Sequence, residues 1–212
     1  SGIVVFIVSV TGCLFTFQKE ISEWVHHDIM FVQPRQQATL PISTLIENAQ
    51  RAMGPEKKIN YITTFTDKDR AWEFMAYKAG DPKAITYFGG VKYYEAVFMN
   101  PYTGAFVGHH DFKYDFFAIV KMIHWSLLLN GDIGQQIVGW SVFVFVILLI
   151  TGLILWWPKK WTKATRDQSF KVKWKASFKR VNYDLHNVLG FYAMAIALVL
   201  ALTGMVWSFK WF

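Results

Sequence analysis

The chain has 212 residues, 53% of them hydrophobic, 18% aromatic and only 17% charged, against roughly 25% charged in an average soluble domain. That composition excludes a disordered chain, a coiled coil and a basic nucleic-acid-binding tail. A single cysteine, Cys13, excludes an intrachain disulfide, a C-x-x-C redox pair, a cysteine zinc site and covalent haem attachment through C-x-x-C-H, while the net charge of +7 takes its meaning from where it sits.

Residues 1–17 (SGIVVFIVSVTGCLFTF) carry no charge. They lie at the short limit of a membrane span, about 17 residues. No methionine or basic residue precedes them, so they do not read as a complete signal peptide. Residues 1–20 are predicted as a first transmembrane helix that begins part-way along.

Residues 21–115 are more polar. Residues 41–54 (PISTLIENAQRAMG) set Ile42, Leu45, Ile46, Ala49 and Met53 at helical spacing, with Ser43 and Thr44 as capping candidates. Strands are predicted at residues 60–66, 71–78 and 94–99, and Asn100-Pro101-Tyr102-Thr103-Gly104 is a turn into AFVGHH. The expected unit is one helix on a small antiparallel sheet. It holds no G-x-S-x-G, H-E-x-x-H or P-loop. The paired histidines His26-His27 and His109-His110 read as exposed or headgroup-level, with metal ligation or electron exit as the alternative.

Residues 116–157 divide in two. Residues 116–130 form an amphipathic lead-in helix ended by NGDIG, and residues 137–157 (IVGWSVFVFVILLITGLILWW) are 21 uncharged residues. At 1.5 Å per residue these span about 30 Å, one bilayer core. Trp156 and Trp157 mark an interfacial end, and Pro158 stops the helix. Residues 158–180 hold nine Lys/Arg and one acid, Asp167, so this loop carries +8 and the rest of the chain −1. Residues 181–212 contain the third span, the 22 uncharged residues 188–209.

A short basic loop between apolar runs is cytoplasmic by the positive-inside rule, with anionic lipid headgroups as its neighbours. Nothing outside the loop supports nucleic-acid binding. The second span then runs inward, the third outward, and residues 18–114 lie outside, with the N-terminus cytoplasmic.

Each span has a Thr-Gly near its end: Thr11-Gly12, Thr151-Gly152 and Thr203-Gly204. A small pair at one depth permits close helix packing or makes room for a flat ligand. His186 lies 18 residues before Gly204, with Gly190 one turn further on the same face. An imidazole followed by a glycine suits a haem axial ligand, the missing side chain leaving space for porphyrin. The same register in the second span falls on Gly134, and on the first it points to a Gly and a His upstream of Ser1. His124 lies 28 residues before Gly152, roughly 40 Å of continuous helix, which puts it at the external interface. His186 and His124 are thus candidate ligands at opposite faces and cannot share one iron. Any haem would be b-type, held without covalent attachment.

The SGIVVFIVSVTGCLFTFQKEI start, the VFMNPYTGAFVG hairpin, HWSLLLNGDIGQQIVGW leading to ITGLILWWP, and DLHNVLGF before LTGMVWSF together carry a resemblance. Nearly the whole chain resembles the PepSY-associated transmembrane proteins of bacterial inner membranes. The resemblance implies an α-helical membrane protein with three transmembrane helices here and a small external α+β PepSY-like domain over residues 21–115. Family members typically have four spans, so it also implies a fourth span beyond these residues. Some members are di-haem b proteins that reduce ferric siderophores. Carried over by motif, His186 would serve a cytoplasmic-side haem and His124 an external-side one. Electrons would come from the quinone pool or a cytoplasmic reductase. The competing reading is a membrane-anchored PepSY module that binds or restrains a peptidase or envelope partner without redox activity.

Overall fold

The computed structural model describes residues 1–209. They group into two compact units, residues 7–134, and residues 1–6 with those from 135 onward.

The first unit is built on a four-stranded antiparallel sheet in the order β1-β2-β3-β4, with β1 Tyr61–Thr63, β2 Trp72–Ala79, β3 Val91–Met99 and β4 Phe106–Asp111. The short helix Tyr87–Gly90 lies between β2 and β3. The expected helix forms as Ile42–Met53. Its Leu45, Ala49 and Met53 are one buried stripe, packed on Phe74, Ala76, Val97 and Met99. Burying each large apolar side chain contributes about 1.5–3 kcal/mol. Ser43 and Thr44 do not cap this helix. Pro41 is its N-cap, with no side-chain bond, because Leu40 N donates to Pro101 O at 2.8 Å and delivers the chain extended as far as Pro41.

The strands differ from expectation at their ends. β1 is shorter than residues 60–66. β3 starts at Val91 instead of Tyr94 because Gly80 N donates to Gly90 O and Asp81 N to Gly89 O, extending the hairpin. The sheet's second face is also covered, which periodicity did not reveal. Ile29, Met30 and Val32 pack on Ala71, Ala96 and Phe98. A Cβ at Gly108 would lie 2.2 Å from Ile29 Cγ2, so only glycine admits this approach.

In chain order the helices are α1 Gly2–Phe15, α2 Gln18–Val25, α3 His27–Met30, α4 Ile42–Met53, α5 Tyr87–Gly90, α6 Phe116–Ser126, α7 Gly131–Trp156, α8 Lys163–Phe170 and α9 Phe178–Ser208. The first predicted span is not one straight helix: α1 bends by 53° into the polar α2. Arg70 anchors α2 to the sheet, its guanidinium 2.8 Å from Glu23 Oε1 and over the rings of Phe31 and Phe65.

α7 and α9 are long and apolar enough to cross a membrane, and α1 with α2 would make a third span if the bent pair counts as one. Both begin well before their predicted starts, at Gly131 and Phe178, and end one residue short of their predicted ends. α9 begins inside the basic segment, where buried Asp184 stands 2.8 Å from Arg180 one turn back and accepts from Lys173 N at 3.2 Å. The same segment is not all loop: it holds α8. Thr162 and Thr165 cap it reciprocally. Trp156 stacks on Phe191 at 4.2 Å and meets Phe170 edge-on, tying α7, α8 and α9 together by aromatic contact. α7 and α9 also approach at Gly139, where a Cβ would lie 2.7 Å from Ser208 Cβ. Among the described residues the Thr-Gly pairs of these two helices are not packing points: a Cβ at Gly152 or Gly204 meets none of them within 4 Å.

Candidate functional site

α6 delivers His124. Asp115 starts this helix, its Oδ2 accepting from Phe117 N at 2.9 Å and Ala118 N at 3.1 Å. The helix ends where Leu127 and Leu128 take left-handed backbone, φ 57° and 60°, a conformation that costs about 1 kcal/mol or more for a side chain of this size. That break ends the lead-in helix at Ser126, short of the expected Asn130. The close approach of Gly134 to Ser126 O, where a Cβ would stand at 2.1 Å, locks the turn.

His124 Nδ1 lies 2.9 Å from Val8 O and 3.4 Å from Thr11 Oγ1. Thr11 gives its only proton to the carbonyls of its own helix, Ile7 O at 2.7 Å and Val8 O at 3.1 Å. A carbonyl can only accept, so Nδ1 is assigned as the donor to Val8 O, the tautomer in which Nε2 is the bare nitrogen. Nε2 has no hydrogen-bond partner among the described residues. A backbone carbonyl holding Nδ1–H is how metal-binding imidazoles are commonly oriented. Gly12 makes this possible: a Cβ there would lie 3.0 Å from His124 Cε1. The first Thr-Gly pair thus receives an imidazole from the same unit.

His186 lies on α9, in the other compact unit, exposed and without a ring partner among the described residues. A Cβ at Gly190, one turn on, meets nothing within 4 Å among the described residues. Within its own unit, the oriented ring of His124 offers Nε2 as the donor that an imidazole-ligated group would take.

The paired histidines separate. Adjacent strand residues face opposite sides of a sheet, so His109 faces the α4 side and His110 the other. His26, at the α2–α3 junction, meets His110 with ring centroids 4.4 Å apart. Contrary to expectation, neither is a surface histidine: their side chains are 27% and 14% exposed. Asp115 Oδ1 lies 3.2 Å from His110 Nε2 and 3.9 Å from His26 Nε2. Burial pushes the Asp115 carboxyl up, but His110 and the backbone N–H groups of α6 outweigh it and hold the carboxyl below its usual range. Glu73, on the same sheet face, is raised by burial despite His110 and Arg70, and its Oε1 is buried without a hydrogen-bond partner.

His109 instead joins Lys57 on Glu95, at 2.8 Å and 2.6 Å from the same oxygen. Burial raises the Glu95 carboxyl, and these partners more than reverse it, leaving it below the usual carboxylate range. A depressed folded value contributes stability that is present above the unfolded value and lost as pH falls through the folded one. The stability difference between the parent protein and Glu95→Gln should therefore hold above pH ~4.5 and shrink below it. Thermal melts of both proteins between pH 7 and pH 3 check this.

A cavity of about 500 Å³ opens beside α6, lined by Tyr77, Tyr87, Tyr94, Asp115, Lys121 and Asn130 among others. Burial, reinforced by Tyr94, Tyr77, Asp111 and Tyr114, pushes the Tyr87 hydroxyl up to about 12, so it remains a hydrogen-bond donor at neutral pH.

The model of one family, the PepSY-associated TM region, matches residues 1–212, the sheet-bearing unit and the membrane helices alike. The chain belongs to the PepSY-associated TM region family. No curated protein matches it significantly. Membership in the PepSY-associated TM region family accounts for apolar helices and a PepSY module in one chain. Two features of this family member were not legible in its sequence. The Val8 carbonyl that orients His124 is 116 residues away, and a backbone acceptor has no residue-type signature. The convergence of His26, His110 and Asp115 required the α2–α3 segment to cross the sheet. The doubled histidines were the only trace of it.

Proposed function

We propose that this chain is a b-type haem electron-transfer protein of the bacterial inner membrane that reduces ferric siderophore or another ferric chelate at the external face. The observation that carries this reading is the tether of His124: Nδ1 on Val8 O at 2.9 Å, with Nε2 left bare. His124 would hold the external-side haem and His186 the cytoplasmic-side one. When bound, haem supplies a one-electron couple within a low-dielectric path. The residues of the chain do the rest. Val8 and Thr11 fix the tautomer of His124, and Gly12 gives its ring room. The apolar helices exclude water. The cavity beside α6 offers phenol donors and Lys121 to a docked chelate. Reduction of the substrate iron weakens its bonds to hard oxygen donors, which releases it. The quinone pool or a cytoplasmic reductase would supply electrons. His124 and His186 each supply one axial imidazole, so a parent protein that also carries the expected partner histidines upstream of Ser1 and in a fourth span should, expressed with ample haem, give a bis-imidazole b-type spectrum with two haems per chain, whereas residues 1–212 alone should bind haem weakly or not at all. Such a parent protein without a Soret band would replace this reading.

Its replacement is the anchored module. The edge strand β1 favours it, because Tyr61 and Ile62 are exposed, and an open sheet edge accepts a strand from a partner.

The proposed orientation puts residues 18–114 outside and residues 158–180 inside. In a Cys13→Ser background, Lys58→Cys should react with a membrane-impermeant thiol reagent in spheroplasts and Lys175→Cys should not. Both lysines are exposed. The reverse labelling pattern overturns the orientation.

A further inference from the structure

We infer that His26, His110 and Asp115 form a binding site for one divalent first-row transition ion, separate from the histidines proposed as haem ligands. One ligand atom from each residue lies within 4.8 Å of the others. Ligands at 2.0–2.2 Å around a tetrahedral ion stand roughly 3.3 Å apart. The 3.2 Å and 3.9 Å separations of Asp115 Oδ1 from the two imidazoles bracket that value. Rotation of His26 about its side-chain bonds closes the remainder.

The donor chemistry selects the ion. Two imidazoles and one carboxylate suit Zn²⁺, Fe²⁺, Co²⁺ or Ni²⁺, whereas Ca²⁺ and Mg²⁺ take oxygen ligands almost exclusively. The carboxylate is prepared for one further bond. Its Oδ2 is occupied by Phe117 N and Ala118 N, which orients the group and leaves Oδ1 toward both rings. An ordinary imidazole–carboxylate pair needs one histidine, yet here a second ring is held 4.4 Å from the first by the Ile29–Gly108 contact. Two imidazoliums so close would repel each other. Two neutral rings sharing a cation do not. Glu73 adds an unpartnered buried carboxyl oxygen on the same sheet face, available to an imidazole N–H or to a metal-bound water. Asp115 also lines the 500 Å³ cavity, which gives an ion a route in from solvent.

The test uses the purified chain in detergent, stripped by chelator and titrated at neutral pH with Co²⁺ by absorption and with Zn²⁺ by calorimetry. The expected result is one site per chain with d–d absorption, weakened at pH 5 because both imidazoles must be deprotonated to bind. His26→Ala, His110→Ala and Asp115→Asn should each weaken binding by at least about 10-fold. His27→Ala and His109→Ala should leave it unchanged. Asn still caps a helix, so Asp115→Asn separates loss of a ligand from loss of α6, with circular dichroism as the control. A chain that binds neither ion at ~100 μM, roughly the weak end for a specific site, overturns the inference. So does affinity unaltered in all three variants. The haem spectrum should be the same in His110→Ala as in the parent protein, so failure here and failure of the proposed function are separate results.

Discussion

Phe74→Ala is expected to destabilise the sheet-bearing unit by about 3–5 kcal/mol, the cost of emptying a large aromatic site in a packed core. Phe74 is fully buried on β2, in the cluster that α4 closes with Leu45, Ala49 and Met53. Its strand neighbours Ala76 and Val97 are too small to fill the space, and paired strands cannot collapse inward without breaking register. For a unit of this size, such a loss is a large share of the usual 5–15 kcal/mol. Urea unfolding followed by tryptophan fluorescence reads it, with Ile62→Ala on the exposed edge expected within about 0.5 kcal/mol of the parent protein. A change below about 1 kcal/mol at Phe74 would mean that the helix does not close on the sheet as described.

His124→Ala is expected to remove one of the two proposed haems and to abolish ferric chelate reduction, while the remaining haem is still reduced from the donor side. Gly12→Leu tests the same site without touching the ligand. Its side chain would enter the space where His124 Cε1 lies 3.0 Å from a Cβ, turning the ring off the Val8 carbonyl. Loss of an orienting interaction of this kind typically costs 10–100-fold. We therefore expect Gly12→Leu to lower chelate reduction on the order of 100-fold and to shift the spectrum, with His124 still in place. If both variants keep full haem content and full reduction, His124 is a helix-packing histidine and the anchored-module reading gains.

Much of the architecture was legible because it rests on local periodicity. Uncharged runs of span length appear without tertiary information, and α7 and α9 cover all but the last residue of the two long ones. The stripe Leu45, Ala49 and Met53 announced the face of α4. The turn from Asn100 to Gly104 lies where its residues put it, because Gly104 takes φ 70°. Helix ends were less legible. α9 extends back to Phe178 through an ion pair to buried Asp184, and α8 depends on reciprocal threonine caps inside a segment whose charge dominated the reading.

By itself the sequence determined family membership, the apolar helices, the concentration of positive charge and the helix-on-sheet unit, since hydrophobic period and charge are properties of neighbours along the chain. Only the tertiary structure decided what the special residues do. Gly12 serves an imidazole 112 positions away, whereas Gly152 and Gly204, likewise preceded by threonine, meet nothing among the described residues. His109 and His110 are adjacent, yet one pairs with Glu95 and Lys57 and the other with His26 and Asp115, because a strand turns successive side chains to opposite faces. His124 gained its oriented tautomer from a backbone carbonyl that any residue type could have supplied. Contacts of this kind depend on how segments far apart in the chain cross, and no pattern of neighbouring residues encodes that crossing.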